Sequence, residues 1–286
     1  MNSIYVSHCF DGKELLQDVR LDWQQGRIVA LQSGVKPQHQ AQLAGLLCPG
    51  FIDIQVNGGG GVLFNQLPDV SALRTISKAH LGFGTTGMLP TVITDSLEVM
   101  QRAADAVAEL LPEPLHTVLG IHFEGPHLSV ARRGIHPAEQ IRPLSDKEMQ
   151  LICRKDIGKV MVTVAPETVP VEQIRELVAQ GVMVSLGHSA ATAEQALAAI
   201  EAGARCFTHL FNAMSQWQSR SLGLVGASFR SDAWTSIIAD GLHCDFESLR
   251  LAKQIKGEKL FLITDAVTHD ESGPYIFTKT GIRFTN

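Results

Sequence analysis

The sequence has little of what marks several specialised classes of protein. No stretch approaches the roughly 18 consecutive apolar residues that a membrane span requires. The N-terminus MNSIYVSHCFDGKELL lacks the basic start and apolar run of a secretory signal. Its five cysteines lie far apart, and none forms a CxxC pair. Such spacing indicates reduced thiols, so we expect a cytoplasmic protein. Because the sequence has no apolar span, we expect no binding to membranes.

An excess of positive charge is also missing. The chain has 24 Lys and Arg residues against 29 Asp and Glu residues, which gives a formal net charge of −5. A protein that binds nucleic acid or anionic lipid would usually carry a basic face, so we expect neither partner. Apolar residues make up 45% of the 286 residues, an ordinary globular composition.

The first 48 residues have a different pattern from the rest. Short alternating segments at 4–6, 19–23 and 27–31 are separated by the turn signals Asp11-Gly12 and Gln25-Gly26. Period-two alternation broken by such turns predicts a small antiparallel sheet. We therefore divide the chain into residues 1–48, part of a small β domain, and residues 49–286.

After residue 49, apolar strands alternate with amphipathic helices. Runs rich in Val and Ile without clean alternation are typical of parallel strands that are covered on both faces. About eight such strands predict an α/β protein with a (β/α)8 barrel. The predicted strands are 51–56, 88–93, 117–123, 160–164, 182–186, 206–210, 236–239 and 260–263. The predicted helices are 70–81, 97–111, 171–180, 193–202 and 246–255.

Three metal-ligand side chains stand at the ends of predicted strands. Glu124, His188 and His209 each close an apolar strand, and these ends converge on one face of a barrel. Two neutral imidazoles and one carboxylate, with water as the fourth ligand, form an open catalytic zinc site. A single histidine at a strand end is more often structural, but three ligand-type residues together favour a metal site.

Two further residues could move or stabilise charge. Asp265 ends the eighth predicted strand, where a carboxylate could accept a proton from water and deliver it to a leaving amine. His136 lies in a predicted loop, either as a donor to a developing oxyanion or as a solvated side chain. Arg220 and His243 are candidate anion binders, since guanidinium groups grip phosphate, although an exposed arginine is common without that role.

The strand-end motifs resemble those of the N-acetylglucosamine-6-phosphate deacetylase family, a group of metal-dependent amidohydrolases. The resemblance covers essentially the whole chain and rests on residues 49–58, 122–126, 187–190, 208–214, 238–243 and 262–266. Many amidohydrolases have His-x-His after the first strand and bind two metals. Gln55-Val56-Asn57 stands there instead and resembles the members that bind a single metal.

The resemblance implies a function and a role for each site residue. Glu124, His188 and His209 would hold one divalent metal, with zinc the expected ion. Asp265 would be the general base and then the acid, and His136 would polarise the acetamide carbonyl. The phosphorylated N-acetylhexosamine would contact Gln55, Asn57, His136, Asn212, Ala213, Arg220 and His243. The reaction would convert N-acetylglucosamine 6-phosphate to glucosamine 6-phosphate and acetate.

The resemblance also implies structure beyond the barrel. The family carries a small β-sandwich built from both chain ends, continues well past the eighth strand and forms a homodimer. This sequence stops soon after that strand, so we expect the fold to be incomplete at its C-terminus. Residues 1–286 alone should then be prone to aggregation and weakly active.

The sequence leaves two alternatives open. The first is a deacetylase for N-acetylgalactosamine 6-phosphate, whose sugar differs at one hydroxyl. The second is a non-catalytic barrel that binds a sugar phosphate.

Overall fold

The structure is a computed structural model that describes residues 1–35, 42–114, 116–268, 275–278 and 281–284. The chain forms two compact units, Met1–Phe51 and Ile52–Asn286. Among the described helices, none is long and apolar enough to cross a membrane.

The N-terminal unit is a four-stranded sheet. Its strands are β1 (Asn2–Phe10), β2 (Leu15–Gln24), β3 (Arg27–Gln32) and β4 (Gln42–Leu47), in the spatial order β3-β2-β1-β4. Gln25 and Gly26 have φ of 49° and 73°, which closes a tight turn between β2 and β3. The three predicted strands pair antiparallel, as expected, but the sheet is mixed because β4 pairs parallel to β1. Local turn signals could not reveal that pairing, because it joins distant segments.

The second unit alternates strands with helices, as the sequence predicts. Its elements are β5 (Phe51–Val56), β6 (Gly58–Gly59), β7 (Val62–Leu63), α1 (Val70–Leu81), β8 (Thr85–Ile93), α2 (Leu97–Leu110), β9 (Gly120–Glu124), α3 (Asp146–Ile152), β10 (Lys159–Val164), α4 (Val171–Ala179), β11 (Met183–Leu186), α5 (Ala193–Glu201), β12 (Cys206–Phe207), α6 (Gly223–Arg230), β13 (Trp234–Ile238), α7 (Phe246–Lys256), β14 (Leu260–Ile263), β15 (Tyr275–Thr278) and β16 (Gly281–Phe284). The last two pair with each other as an antiparallel hairpin.

Eight parallel strands form a nearly closed barrel, which confirms the predicted (β/α)8 architecture. Their order is β5-β8-β9-β10-β11-β12-β13-β14. Beyond the end of β14 the chain meets β5 again: Asp265 N–H donates to the Gln55 carbonyl at 3.0 Å, and Asn57 N–H donates to the Ala266 carbonyl at 2.9 Å. These bonds draw the first and last strands together at the end where the site lies.

Capping side chains begin several of the helices. The Asp69 carboxylate accepts from Ala72 N–H at 2.9 Å at the start of α1, whose buried face includes Leu73 and Ile76. Ser145 and Glu148 form a capping box at the start of α3. Helices α3 and α6 are not among the sequence predictions.

The barrel interior changes from apolar to polar along three of the strands, β8, β10 and β12. Leu89, Met161 and Cys206 belong to one buried apolar cluster. Two residues further along their strands come the side chains of the next layer on the same face: Thr91, Thr163 and Thr208. Within this layer Thr163 and Thr208 hydroxyls lie 2.8 Å apart, and His122 Nε2 lies 2.8 Å from Thr163 Oγ1. This polar layer lies between the apolar cluster and the strand ends.

The outer faces of the first and last barrel strands are open to solvent. Ile52 on β5 is 63% exposed, and Leu262 on β14 is 59% exposed. By contrast, Leu260 on β14 is buried.

Candidate active site

Three strand ends bring ligand atoms together at the carboxyl end of the barrel. Glu124 ends β9, and His188 and His209 follow β11 and β12. Glu124 Oε1 lies 3.2 Å from His188 Nε2 and 3.0 Å from His209 Nε2, and the two imidazole nitrogens are 2.9 Å apart. All three side chains are buried. The structure therefore assembles the three predicted metal ligands.

Backbone geometry turns the histidines inward. His188 and His209 have φ of 46° and 36°, in the left-handed region that side chains other than glycine rarely adopt. The His209 N–H donates to Ser236 Oγ on β13 at 2.8 Å, which anchors the bend. Strained backbone of this kind clusters at functional sites, where the surrounding structure holds it in place.

The donor set fits a divalent metal. The Arg132 carbonyl accepts from His188 Nδ1 at 3.0 Å, so the neutral ring keeps its lone pair on Nε2, facing the cluster. Burial opposes ionisation of Glu124, but its electrostatic interactions with the adjacent His188 and His209 rings outweigh that cost and hold the pKa of this carboxyl well below its usual range. Ligands at about 2.0–2.2 Å from tetrahedral Zn²⁺ lie about 3.3–3.6 Å apart, close to the spacing seen here. Among the described residues these three form the one group of His, Cys, Asp or Glu that could hold a metal ion.

Gln55 and Asn57 hold the Asp265 carboxylate. Gln55 Nε2 donates to Glu124 Oε1 at 2.9 Å and to Asp265 Oδ1 at 3.1 Å, and Asn57 Nδ2 donates to Asp265 Oδ1 at 2.6 Å. Carboxylate oxygens are acceptors, so the end of the Gln55 amide that faces both carboxylates must be its NH₂ group, which fixes the orientation of this side chain. That NH₂ group occupies the space between the carboxylates. The sequence predicts that Gln55 and Asn57 contact the sugar, and in the structure both amides also hold the Asp265 carboxylate.

The backbone beside Asp265 is held by Asp53, a residue that the sequence analysis does not single out. Burial and the Glu124 charge raise the pKa of Asp265, whose φ of 51° is again left-handed. The neighbouring Thr264 donates through Oγ1 to Asp53 Oδ2 at 2.5 Å and through its N–H to the same oxygen at 3.2 Å. Asp53 is 4% exposed on β5. A carboxylate inside the apolar run Phe51–Val56 was the signal that could have identified it.

His136 is a buried member of the site, so the solvated-loop alternative is wrong: its side chain is 1% exposed. Its Nδ1 accepts from Thr94 N–H at 3.2 Å and lies 2.8 Å from Thr94 Oγ1. The neutral ring therefore carries its hydrogen on Nε2, which lies 3.9 Å from Glu124 Oε2. Burial, reinforced by His188, keeps the pKa of His136 well below its usual value, so the ring is neutral at physiological pH.

One cavity of about 160 Å³ joins most of the predicted site residues. They are Asn57, Glu124, His136, His188, His209, Asn212, Ala213, His243 and Asp265. Ile93, Ile135, Ile238 and Val267 add apolar surface to the same walls. The His243 ring is oriented by Asp240, whose Oδ2 lies 2.7 Å from Nδ1.

Arg220 does not line this cavity. It lines a separate cavity of about 380 Å³, together with Trp217 and the first turn of α5. Of the predicted anion binders, the structure therefore brings His243 to the site and places Arg220 elsewhere.

Comparison with known proteins gives a consistent picture. The amidohydrolase family matches residues 46–273. An N-acetylgalactosamine-6-phosphate deacetylase of Shewanella sp. (strain ANA-3) is 48% identical over 262 residues, which are 89% of this chain and 66% of that protein. An N-acetylglucosamine-6-phosphate deacetylase of Haemophilus influenzae is 39% identical over 238 residues, 82% of this chain and 62% of that protein. This chain therefore spans less than two thirds of the length of these two relatives.

A solved structure extends the likeness to three dimensions. The crystal structure of N-acetylglucosamine-6-phosphate deacetylase from Pasteurella multocida matches with a TM-score of 0.89 and 35% sequence identity. The match covers 100% of this chain and 77% of that one.

Proposed function

This chain belongs to the amidohydrolase family, and from that premise we propose that it hydrolyses the acetamide of N-acetylglucosamine 6-phosphate to glucosamine 6-phosphate and acetate. One observation carries the proposal. Three metal-ligand atoms, a carboxylate and a neutral imidazole donor line a single cavity at the carboxyl ends of the barrel strands. That combination suits hydrolysis of an amide, because the nucleophile, the carbonyl oxygen and the leaving amine each need a separate partner.

Glu124 Oε1, His188 Nε2 and His209 Nε2 would hold one divalent metal. Zinc suits imidazole and carboxylate ligands, although Fe, Mn or Co could also occupy them. When bound, the metal would supply a Lewis acid that lowers the pKa of water to about 7. Gln55 favours a single ion, because its NH₂ group points at both carboxylates and an amide NH₂ is not a metal ligand.

Asp265 would move the proton. Its carboxylate accepts a proton from the attacking water as the new C–O bond forms at the acetamide carbon. It then donates that proton to the amine nitrogen as the C–N bond breaks, which makes the amine a competent leaving group. Gln55 and Asn57 both donate to Oδ1 of Asp265, which leaves the second carboxylate oxygen for the proton transfer.

His136 would stabilise the charge that develops on the carbonyl oxygen. Its Nδ1 is held by Thr94, so Nε2–H is the donor available to the substrate. A fixed donor in a buried site costs no reorganisation when the oxyanion forms. The neutral state of the ring makes it a hydrogen-bond donor and leaves proton transfer to Asp265.

We assign the phosphate to the side of the cavity formed by His243 and the backbone of Asn212 and Ala213. Arg220 remains part of the proposal on the resemblance alone, because it lines another cavity. Asn57 lines the active cavity and can also contact the sugar.

A homodimer also belongs to the proposal on the family resemblance, and sedimentation velocity tests it. The five free cysteines suit a cytoplasmic location.

The test is release of acetate and of free amine from N-acetylglucosamine 6-phosphate and from its galactosamine epimer, with the bound metal measured in the same preparations. We expect hydrolysis that is lost together with the metal in His188→Ala. The matched control is His8→Ala, which changes an exposed histidine on β1 and should preserve both.

The two alternatives give different results in this assay. Faster turnover of the galactosamine epimer, for which the 48% identical relative is named, would reassign the substrate. Tight binding of either sugar phosphate without acetate release by the metal-loaded protein would identify a non-catalytic binder.

A further inference from the structure

A second cavity adjoins the active cavity and has no role in the mechanism above. Its volume is about 220 Å³, and it shares the residues Asn57, Ile93, Ile135 and Val267 with the active cavity. Pockets that bind small molecules usually measure about 300–1,000 Å³, and each of these cavities alone is smaller than that. The shared wall makes them two compartments of one cleft.

The lining of the second cavity decides what it can hold. Half of its lining residues are apolar: Leu63, Ile93, Ile135, Pro137 and Val267. The other lining residues are polar, and within the part of the chain that the structure describes no Lys, Arg or His lines this cavity. The Asp95 carboxylate there would repel a phosphate. This compartment therefore suits an uncharged, mainly apolar group.

Hydrogen bonds within the chain hold the wall of the second cavity in place. Asn65 Nδ2 donates to the Ile93 carbonyl at 3.1 Å and to Asp95 Oδ2 at 3.0 Å, while its Oδ1 accepts from Ile93 N–H at 2.9 Å. These three bonds fix the end of β8 beside the cavity. A preformed compartment binds its ligand without the cost of ordering its walls.

The geometry of the reacting carbonyl selects the occupant. A trigonal carbonyl carbon has three substituents; in the proposed mechanism the nitrogen would face Asp265, and the oxygen would face His136 and the metal ligands. The third substituent is the acyl chain, and it must leave in the remaining direction. Thr94, which holds His136 Nδ1, also lines the second cavity, and Ile135 lines both. The second cavity thus begins next to His136 and Thr94, the residues on the side of the proposed carbonyl site.

We propose that the second cavity is an acyl subsite, so that the protein hydrolyses N-acyl glucosamine 6-phosphates with chains longer than acetyl. This inference rests on the proposed deacetylase function. The phosphate would stay at the His243 side while a propionyl or butyryl chain extends past Ile93 and Ile135 toward Pro137. Burial of one methylene favours binding about fourfold, which offsets the cost of ordering the longer chain.

The test compares kcat/KM for N-acetyl, N-propionyl and N-butyryl glucosamine 6-phosphate. We expect the butyryl compound to fall within about tenfold of the acetyl compound. Two variants narrow the cavity: Gln66→Trp at its exposed rim and Leu63→Phe on its apolar wall. Each should lower kcat/KM for the butyryl compound at least tenfold more than for the acetyl compound. Gln101→Trp, an exposed change on α2, is the matched control and should affect neither.

The outcomes separate this inference from the function on which it rests. Acetyl turnover with butyryl turnover more than about a hundredfold slower would overturn the acyl subsite alone. Equal losses for both compounds in folded Gln66→Trp and Leu63→Phe would also overturn it, and would indicate that the cavity holds the sugar. Failure of the metal-loaded protein to hydrolyse any of the three compounds would overturn the deacetylase function as well. Circular dichroism melts establish that each variant is folded.

Discussion

Replacing Asp265 with Asn removes the proton acceptor while keeping the shape of the site. The Asn oxygen can still accept from Gln55 Nε2 and Asn57 Nδ2, which now lie 3.1 Å and 2.6 Å from Asp265 Oδ1. Glu124, His188 and His209 are untouched, so the metal should stay bound. A general base typically contributes about 10²–10⁴-fold, which corresponds to roughly 2.7–5.5 kcal/mol of barrier height. We therefore expect kcat to fall at least a hundredfold.

The assay measures kcat and KM for acetate release, metal content by elemental analysis, and substrate binding by calorimetry. Metal content and substrate affinity should stay near those of the parent protein, because the loss falls on the chemical step. Asp232→Asn, which changes a highly exposed carboxylate, is the matched control and should keep full turnover. If Asp265→Asn retains more than about a tenth of the parent kcat, another group must carry the proton and the reasoning fails.

Three further predictions follow from other parts of the chain. Arg220→Ala should slow the phosphorylated substrate more than the unphosphorylated sugar, and equal losses would remove Arg220 from the proposed phosphate site. Glu148→Gln should cost about 2 kcal/mol in urea unfolding at pH 7. Burial opposes ionisation of Glu148, but hydrogen bonds from Ser145 outweigh it and lower the pKa of this carboxyl below 4.5. The stability that ionised Glu148 contributes is therefore present above pH 4.5 and is lost as the pH falls through the lower pKa of the folded state. If the parent protein lost no more stability in acid than Glu148→Gln does, this prediction would be contradicted. Leu260→Ala should cost about 2–5 kcal/mol, but Leu262→Ala on the open face of β14 under about 1 kcal/mol, and equal costs would mean that this face is covered in solution.

Strand and helix positions in the barrel were predictable where local signals agree with the tertiary structure. The α1 helix occupies the predicted residues because an Asp69 cap and an apolar stripe coincide. The α3 helix was overlooked although Ser145 and Glu148 have the spacing of a capping box. The α6 helix gave no such signal, since Gly223–Arg230 contains two glycines and has no side-chain cap.

The strand prediction failed where the site bends the chain. We predicted a strand over residues 206–210, but β12 ends at Phe207. His209, Phe211 and Ala213 all have positive φ, which no strand accommodates. The polar signal at the strand end therefore placed His209 at the cavity but was misleading about secondary structure.

The predicted metal ligands and Asp265 lie together because strand ends in a barrel converge, so position along the chain predicts position in space. Asp53 was not predicted as a site residue, because it lies inside a strand and its partner Thr264 is 211 residues away in the sequence. Arg220 was predicted from its side-chain chemistry and from the family resemblance, and no strand end places it. Pairings of this kind depend on the tertiary fold and have no local signature.

The most direct test of the metal-centred site is anomalous X-ray diffraction at the zinc edge, combined with elemental analysis of the same protein. The structure predicts one ion per chain, bonded to Glu124, His188 and His209 at about 2.0–2.2 Å. Two ions per chain, or a single ion bound by other side chains, would contradict it.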